Sequence, residues 1–257
     1  MTSTAAPAAP GFVDTVDLAQ FERLGRDWWD ARGPMAPLHR LNPTRLRYIR
    51  QTVAAHFPQA VGGDTERGTL PLAGLSVLDI GCGGGLLAEP LTRLGARVTA
   101  VDPGASNVEV ARWHAELGGL TIDYRVATIE DLDQAGAHFD VVIASEVVEH
   151  VLDQPAFMAT ASRLVAPGGL LLASTLNRTA KSFLLAIVGA EYVLGWLPRG
   201  THRWERFVRP SELARWIEAA GLRPIGRAGM VFDPLRDGWR LGRDTDVNYW
   251  LAAARQR

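Results

Sequence analysis

The chain has 257 residues, 47% of them hydrophobic and 21% charged, and a formal net charge of -1 at pH 7. This length can bury the core of a single α/β domain, and the charge lacks the basic excess that sequence-independent nucleic-acid binding needs, which argues against nucleic acid as a partner. Cys82 is the single cysteine, so no internal disulfide can form, and we expect a cytoplasmic protein.

Two segments precede the main domain. Residues 1–12 are rich in Ala, Pro and small polar residues, lack the pattern of a secretory signal, and are predicted to be a disordered tail. Residues 13–74 are predicted to form an N-terminal helical cap and a connector, with helices over 14–31 and 43–57. The second helix is expected to open with Pro43 in its first turn, and the prolines before it predict irregular structure.

Residues 75–257 alternate between strand and helix patterns. The strands LSVLDI, RVTAVD, IDYRVA, FDVVIAS and GLLLAST come first, and LRPIGRAGMVFDP and DVNYWLAAAR follow a helical insertion over 176–203. Such alternation predicts an α/β fold with a mostly parallel, seven-stranded sheet and helices on both faces. Ligands of such sheets bind beyond the carboxyl ends of the strands.

A glycine-rich loop, VLDIGCGGG, follows the first of these strands. Gly81 and Gly83 would let the backbone approach a ligand closely, and Asp79 is placed to meet a cationic amino group. The dinucleotide fingerprint would need glycine at position 86, which is Leu86, and the lysine of a phosphate-binding loop is also missing. The loop therefore suits a nucleotide-like ligand with less charge than a pyrophosphate.

Asp102 ends the second strand of the domain, where an acidic side chain can accept hydrogen bonds from both ribose hydroxyls. The glycine loop, Asp102 and the spacing of about twenty residues between them together predict a nucleoside ligand. The alternative is that the glycines merely end a strand and that Asp102 caps a helix in a fold that binds nothing.

These motifs resemble those of the class I S-adenosylmethionine-dependent methyltransferases, which have a Rossmann-like fold. WWDARGPMAPLHRLNPTRLRYI, SEVVEHV, PGGLLLASTLNRTAKSF, VGAEYVLGWLPRGTH and DVNYWL are similar to the ubiquinone-biosynthesis O-methyltransferases, which act on polyprenylated catechol intermediates. The resemblance implies that Arg45, Gly81, Asp102 and Ser145 contact the cofactor, with Arg45 binding its methionine carboxylate.

The stretch SEVVEH follows the fourth strand and faces the expected substrate. A catechol hydroxyl has a pKa of about 10, so it must be deprotonated by a base or acidified by a metal. If Glu146, Glu149 and His150 share one helical face, they could hold Mg²⁺ or, less suitably, Zn²⁺. Two alternatives stay open: His150 is a general base oriented by Glu149, or the carboxylates only cap the following helix.

The apolar stretch over 178–203 has basic residues at both ends, as in a helix that lies on an anionic membrane surface. A buried helix over the active site is the alternative. The sequence thus predicts a methyltransferase for lipophilic quinols, peripherally associated with the inner face of the membrane. A ubiquinone-biosynthesis enzyme complex is a candidate partner. Two alternatives remain open: another small-molecule O- or N-methyltransferase, or a non-catalytic nucleoside-binding scaffold of a biosynthetic complex.

Overall fold

The computed structural model describes residues 11–58, 70–184, 203–233 and 238–257. The helices in these ranges are α1 (Thr15–Glu22), α2 (Ala36–His56), α3 (Ala88–Arg93), α4 (Ala105–Leu117), α5 (Ile129–Gln134), α6 (Gln154–Arg163), α7 (Ala180–Ser182) and α8 (Pro210–Ala219). The strands are β1 (Ser76–Ile80), β2 (Arg97–Asp102), β3 (Asp123–Val126), β4 (Phe139–Ser145), β5 (Val165–Leu176), β6 (Leu222–Asp233), β7 (Gly238–Gly242) and β8 (Asn248–Arg255). Short 3₁₀ turns cover Gly25–Trp29, Val148–His150 and Trp204–Arg206.

The strands form one sheet in the order β3-β2-β1-β4-β5-β8-β6-β7. The first five are parallel to one another, and β8, β6 and β7 continue the sheet with antiparallel pairings. Within the described ranges the sheet therefore has one strand more than the seven expected. The additional strand is β7, whose sequence GWRLG is short and lacks a clear alternation, so it is a strand because β6 supplies its hydrogen-bonding partner.

Apolar side chains on the two faces of the central strands form two cores. Val77 and Ile143 face a core that α2, α3 and α4 cover, whereas Leu78 and Val142 face a core that α6 and α8 cover. Burial on both faces explains why these strands read as nearly continuous apolar runs. The arrangement leaves the carboxyl ends of the parallel strands open to a ligand.

The N-terminal helices differ from the expectation in their boundaries. α2 begins at Ala36, so Pro43 lies inside the helix rather than in its first turn, and Pro37 occupies the first turn instead. A proline inside a helix removes one backbone hydrogen bond. Packing offsets this loss, since Leu41, Ile49 and other residues of the same stripe are buried. The helix expected over 14–31 is divided into α1 and the Gly25–Trp29 turn.

Parts of three predicted segments lie outside the described residues. They are residues 1–10 of the tail, residues 59–69 of the connector and residues 185–202 of the insertion that is predicted to contact a membrane. In the part of the chain that is described, no helix combines the length and the apolarity needed to cross a bilayer.

Candidate active site

A cavity of about 690 Å³ lies beyond the carboxyl ends of β1, β2 and β4, and residues of α1 and α2 contribute to its lining. It brings together every site residue that the sequence predicts. Its lining includes Arg45, Asp79, Gly81, Gly83, Asp102, Ser145, Glu146, Glu149 and His150.

The glycine loop has a conformation that excludes side chains at several positions, of which Gly81 and Gly83 line the cavity. Gly81 has φ +66°, and a Cβ there would lie 2.6 Å from Cγ2 of Val147. Gly83 has φ +51°, and a Cβ there would lie 2.4 Å from Cη2 of Trp28. Both positions combine left-handed backbone with close neighbours, so glycine is required at each. The loop backbone consequently packs directly beneath the N-terminal cap.

Asp102 holds this loop to the start of α4. Its Oδ2 accepts a hydrogen bond from the backbone N–H of Gly83 (3.0 Å), and its Oδ1 accepts from the N–H of Gly104 (2.8 Å) and from Nδ2 of Asn107 (3.1 Å). Burial raises the pKa of the Asp102 carboxyl, and these three hydrogen bonds oppose that shift. Asn107 in turn accepts a hydrogen bond from Nε1 of Trp28 (3.1 Å), so the cap and the loop share one network.

Arg45 and Asp79 are buried charged groups that face the cavity. Burial lowers the pKa of the Arg45 guanidinium, while the carboxylates of Glu146, Asp79 and Glu149 oppose the shift. Burial raises the pKa of Asp79 to about 7, against the attraction of Arg45. Nε and Nη2 of Arg45 and Oδ2 of Asp79 have no hydrogen-bond partner among the described residues. Buried polar atoms without partners are uncommon, and a polar ligand in the cavity would satisfy these three.

Glu146 is the one non-glycine residue with positive φ in the described ranges, at +57°. Its carboxylate is fixed from two other strands, because Oε1 accepts from Oγ of Ser174 (2.8 Å) and Oε2 from Nδ2 of Asn248 (3.1 Å). Ser174 Oγ also lies 3.0 Å from Oγ of Ser145. Left-handed backbone costs free energy at such a residue, and residues of this kind cluster at functional sites.

Glu149 and His150 have different partners. Oε2 of Glu149 accepts a hydrogen bond from Oγ1 of Thr175 (2.7 Å), whereas Nδ1 of His150 lies 3.1 Å from Oδ2 of Asp17 in α1. Burial lowers the pKa of His150, but the hydrogen bond to Asp17 and the charge of Glu149 outweigh it, and the net shift is upward. Burial and the nearby charge of Glu146 raise the pKa of Glu149.

The expected convergence of Glu146, Glu149 and His150 on one ion is not found. Glu146 has left-handed backbone and precedes the short 3₁₀ turn, so the three residues do not share a helical face. No group of three His, Cys, Asp or Glu side chains in the described ranges is arranged to hold a metal ion. The helix-capping alternative is also wrong, because Asp153 caps α6.

Several residues of the site were not predicted. Asp17 contacts His150 across 133 positions of sequence, and no local pattern marks such a pair. Asn107, which lies in the first turn of α4 five residues after Asp102, could have been found from its spacing. Ser174 and Thr175 lie near the carboxyl end of β5, directly after an apolar run. Once the fold is known, polar residues at this end of a parallel strand can be recognised as site candidates.

The sequence of this chain is similar to those of known methyltransferases. A family model described as a methyltransferase domain matches residues 41–225. The ubiquinone biosynthesis O-methyltransferase of Methylocella silvestris is 58% identical over 251 residues, which are 97% of this chain and 98% of that protein. The protein of the same name from Methylobacterium nodulans is 55% identical over 255 residues, which are 99% of each chain.

Solved structures with the same fold are also methyltransferases. Magnesium protoporphyrin IX methyltransferase from Synechocystis, with bound SAH, superposes with a TM-score of 0.59 at 21% identity and covers 92% of this chain and 94% of its own. The N-methyltransferase NodS from Bradyrhizobium japonicum gives a TM-score of 0.58 at 16% identity, over 94% and 99% of the two chains. At these identities the structures show the fold alone, whereas the sequence relatives show the family. The chain belongs to the methyltransferase family and, within it, to the ubiquinone biosynthesis O-methyltransferases.

Proposed function

We propose that this protein transfers a methyl group from S-adenosylmethionine to a phenolic hydroxyl of polyprenylated catechol or demethylubiquinol intermediates of ubiquinone biosynthesis. One observation carries the proposal: a single cavity joins the glycine loop and Asp102 to the carboxylates and the histidine that follow β4. The names of the relatives support O-methylation in ubiquinone biosynthesis, and the polyprenylated phenolic substrate is what the resemblance of the sequence motifs implies.

The buried polar atoms of the cavity fit the polar groups of S-adenosylmethionine. In this proposal the carboxylate of the cofactor pairs with Arg45, and its amino group pairs with Asp79. Both residues have unsatisfied buried atoms that such contacts would satisfy. Asp102, beside the Gly81 and Gly83 backbone, would accept the ribose hydroxyls, and Ser145 would contact the cofactor from the end of β4. The bound cofactor supplies the electrophilic methyl group.

His150 is the proposed general base, and Asp17 fixes its imidazole ring. The 3.1 Å contact between Nδ1 of His150 and Oδ2 of Asp17 orients the ring and stabilises the imidazolium that forms when it takes the phenolic proton. Phe21 packs edge-on against the same ring, with centroids 5.1 Å apart. Glu149 lies next to His150 and adds negative charge that stabilises the protonated ring.

Among the described residues, no three His, Cys, Asp or Glu side chains are grouped so that they could hold a metal ion, and the carboxylate of Glu146 is hydrogen-bonded to Ser174 and Asn248. Glu146, Glu149 and His150 in this arrangement do not form a site for Mg²⁺. The proposal therefore assigns the proton transfer to His150.

The proposal includes association of the 178–203 segment with an anionic membrane surface on the cytoplasmic side, which would give the enzyme access to a lipid-tailed substrate. At the described start of this segment, Phe183 and Leu184 are 44% and 59% exposed. A variant lacking 183–197 is expected to lose co-sedimentation with anionic liposomes while it still binds S-adenosylhomocysteine. Unchanged co-sedimentation would contradict this part of the proposal.

Transfer of radiolabelled methyl from S-adenosylmethionine to a short-chain demethylubiquinol tests the activity. We expect label in the quinol ether with the wild type and a large loss with His150→Gln. Exposed Asp123 is the matched control position, and Asp123→Asn is expected to keep wild-type activity. Cofactor binding without any transfer would favour the nucleoside-binding scaffold.

A further inference from the structure

The hairpin of β6 and β7 extends the sheet on the side opposite the glycine loop. Its register pairs Phe232 with Trp239, and the two rings lie with centroids 5.6 Å apart at an angle of 62°. Both rings are partly exposed and line the cavity. An aromatic pair that faces a cavity offers a large apolar contact area to a ligand.

The cavity wall beside the hairpin is mostly apolar, with Lys181, Asp244 and Asn248 as the polar residues near it. β6 is three strands from β4 in the sheet, which corresponds to about 14 Å at the usual strand spacing. The apolar lining residues near it come from α2, β5, the hairpin and the segment before β8. They are Leu41, Leu176, Met230, Phe232, Trp239 and Val247. A ligand whose reacting oxygen lies near His150 would have to extend an apolar portion to reach them.

The β6–β7 hairpin is held in place by contacts with α2, with β8 and with the loop before β8. Oγ1 of Thr44 in α2 donates a hydrogen bond to the carbonyl of Trp239 (2.9 Å). Nε1 of Trp250 in β8 lies 3.2 Å from Sδ of Met230. At Gly229 an added Cβ would lie 1.6 Å from the carbonyl oxygen of Asp244, so the hairpin backbone packs against the following loop. These contacts make the aromatic pair a fixed surface.

We propose that the β6–β7 hairpin binds the hydrocarbon tail of the substrate, and that Phe232 and Trp239 are the residues that determine the preference for a tailed quinol. The inference rests on the proposed function and names the place where its substrate's tail lies. The groups suited to the nucleoside and the phenol lie beyond β1, β2 and β4, and the aromatic pair of the hairpin offers the apolar portion of the substrate a fixed surface in the same cavity. Burying a large apolar group against such a wall is favourable roughly in proportion to the area removed from water.

The test compares two demethylubiquinols, one without a tail and one with two isoprene units. For Phe232→Ala and for Trp239→Ala we expect kcat/KM for the tailed quinol to fall at least about tenfold, since the lost burial is worth a factor of that order. We expect kcat/KM for the tail-less quinol to change less than about twofold, and calorimetric affinity for S-adenosylhomocysteine to stay at the wild-type value. Phe232→Leu, which keeps an apolar side chain, should recover most of the preference.

Trp216 in α8 is the matched control, because it is partly buried and packs in the other core, outside the cavity. Trp216→Ala is expected to leave the ratio of the two kcat/KM values unchanged. An equal loss on both quinols in the hairpin variants, or a wild type with no preference for the tail, would overturn the inference.

Equilibrium binding of the same quinols in the presence of S-adenosylhomocysteine separates this inference from the proposed function. If the wild type binds the tailed quinol more tightly through the hairpin but transfers no methyl group, the proposed function fails and the tail site stands. If methyl transfer occurs and the hairpin variants bind both quinols like the wild type, the tail site fails and the function stands.

Discussion

Replacing Gly83 by alanine tests whether the cap and the cofactor loop form one packed unit. The new Cβ would lie 2.4, 2.7 and 2.9 Å from three ring carbons of Trp28. Trp28 cannot easily move away, since it is 6% exposed and its Nε1 donates to Asn107. The substitution therefore has to shift either the loop or the cap.

Two costs contribute to the magnitude. Left-handed backbone at a residue with a Cβ costs about 1–2 kcal/mol, and φ at Gly83 is +51°. Overpacking of a buried contact costs a further 1–3 kcal/mol or so. Gly83→Ala is thus expected to lower the free energy of unfolding by about 2–5 kcal/mol, which corresponds to roughly 5–20 °C in Tm for a chain of this size.

Gly119→Ala provides the control. Its φ is +63°, and nothing lies within 4 Å of an added Cβ, so this substitution carries the backbone cost without the contact. Thermal unfolding and calorimetric binding of S-adenosylhomocysteine should both be impaired in Gly83→Ala, whereas Gly119→Ala should show a smaller loss of Tm and normal affinity. In a Trp28→Leu background the cost of Gly83→Ala should shrink. Equal Tm values and equal affinities for the two alanine variants would refute the reasoning.

Three further predictions concern the polar groups of the site. The pKa of Asp79 is about 7 in the folded protein and about 4 in the unfolded chain. The free energy of unfolding of the ligand-free protein should therefore fall as the pH rises from about 4 to about 7. Urea titrations over this pH range should show the decline in the wild type and not in Asp79→Asn. His150→Gln should lower kcat by about 10²–10⁴-fold with unchanged affinity for S-adenosylhomocysteine, and a normal kcat would remove His150 as the base. Asp102→Ala should weaken binding of S-adenosylhomocysteine, measured by calorimetry, by about 10–100-fold. The substitution removes the charged acceptor of the N–H groups of Gly83 and Gly104 and of the proposed ribose hydrogen bonds. An undiminished affinity would contradict the role of Asp102 in cofactor binding.

The central part of the fold could be predicted because its signals are local. The run FDVVIAS is the strand β4 (Phe139–Ser145), and a helix, α4 (Ala105–Leu117), follows the strand RVTAVD, as the predicted alternation requires. Buried parallel strands have apolar runs, and their helices have apolar stripes, so both patterns can be read within a few residues. The position of Asp102 at the end of β2 follows from the same local pattern.

The remaining features depend on contacts between distant segments. α2 continues through Pro43 because its buried stripe packs on the sheet, which local propensity cannot show. β7 is a strand through its pairing with β6, and Asp17 reaches His150 through the position of α1. The shared helical face expected for Glu146, Glu149 and His150 failed because the backbone turns into the left-handed region directly after β4.

The central claim is that a nucleoside with an amino acid tail binds between the glycine loop, Asp102 and the Arg45–Asp79 pair. Calorimetric titration of the folded protein with S-adenosylhomocysteine tests it most directly. We expect saturable binding to one site per chain, and we expect Asp102→Ala to weaken it. A folded protein that gives no binding heat with this ligand or with S-adenosylmethionine at several temperatures would contradict the account.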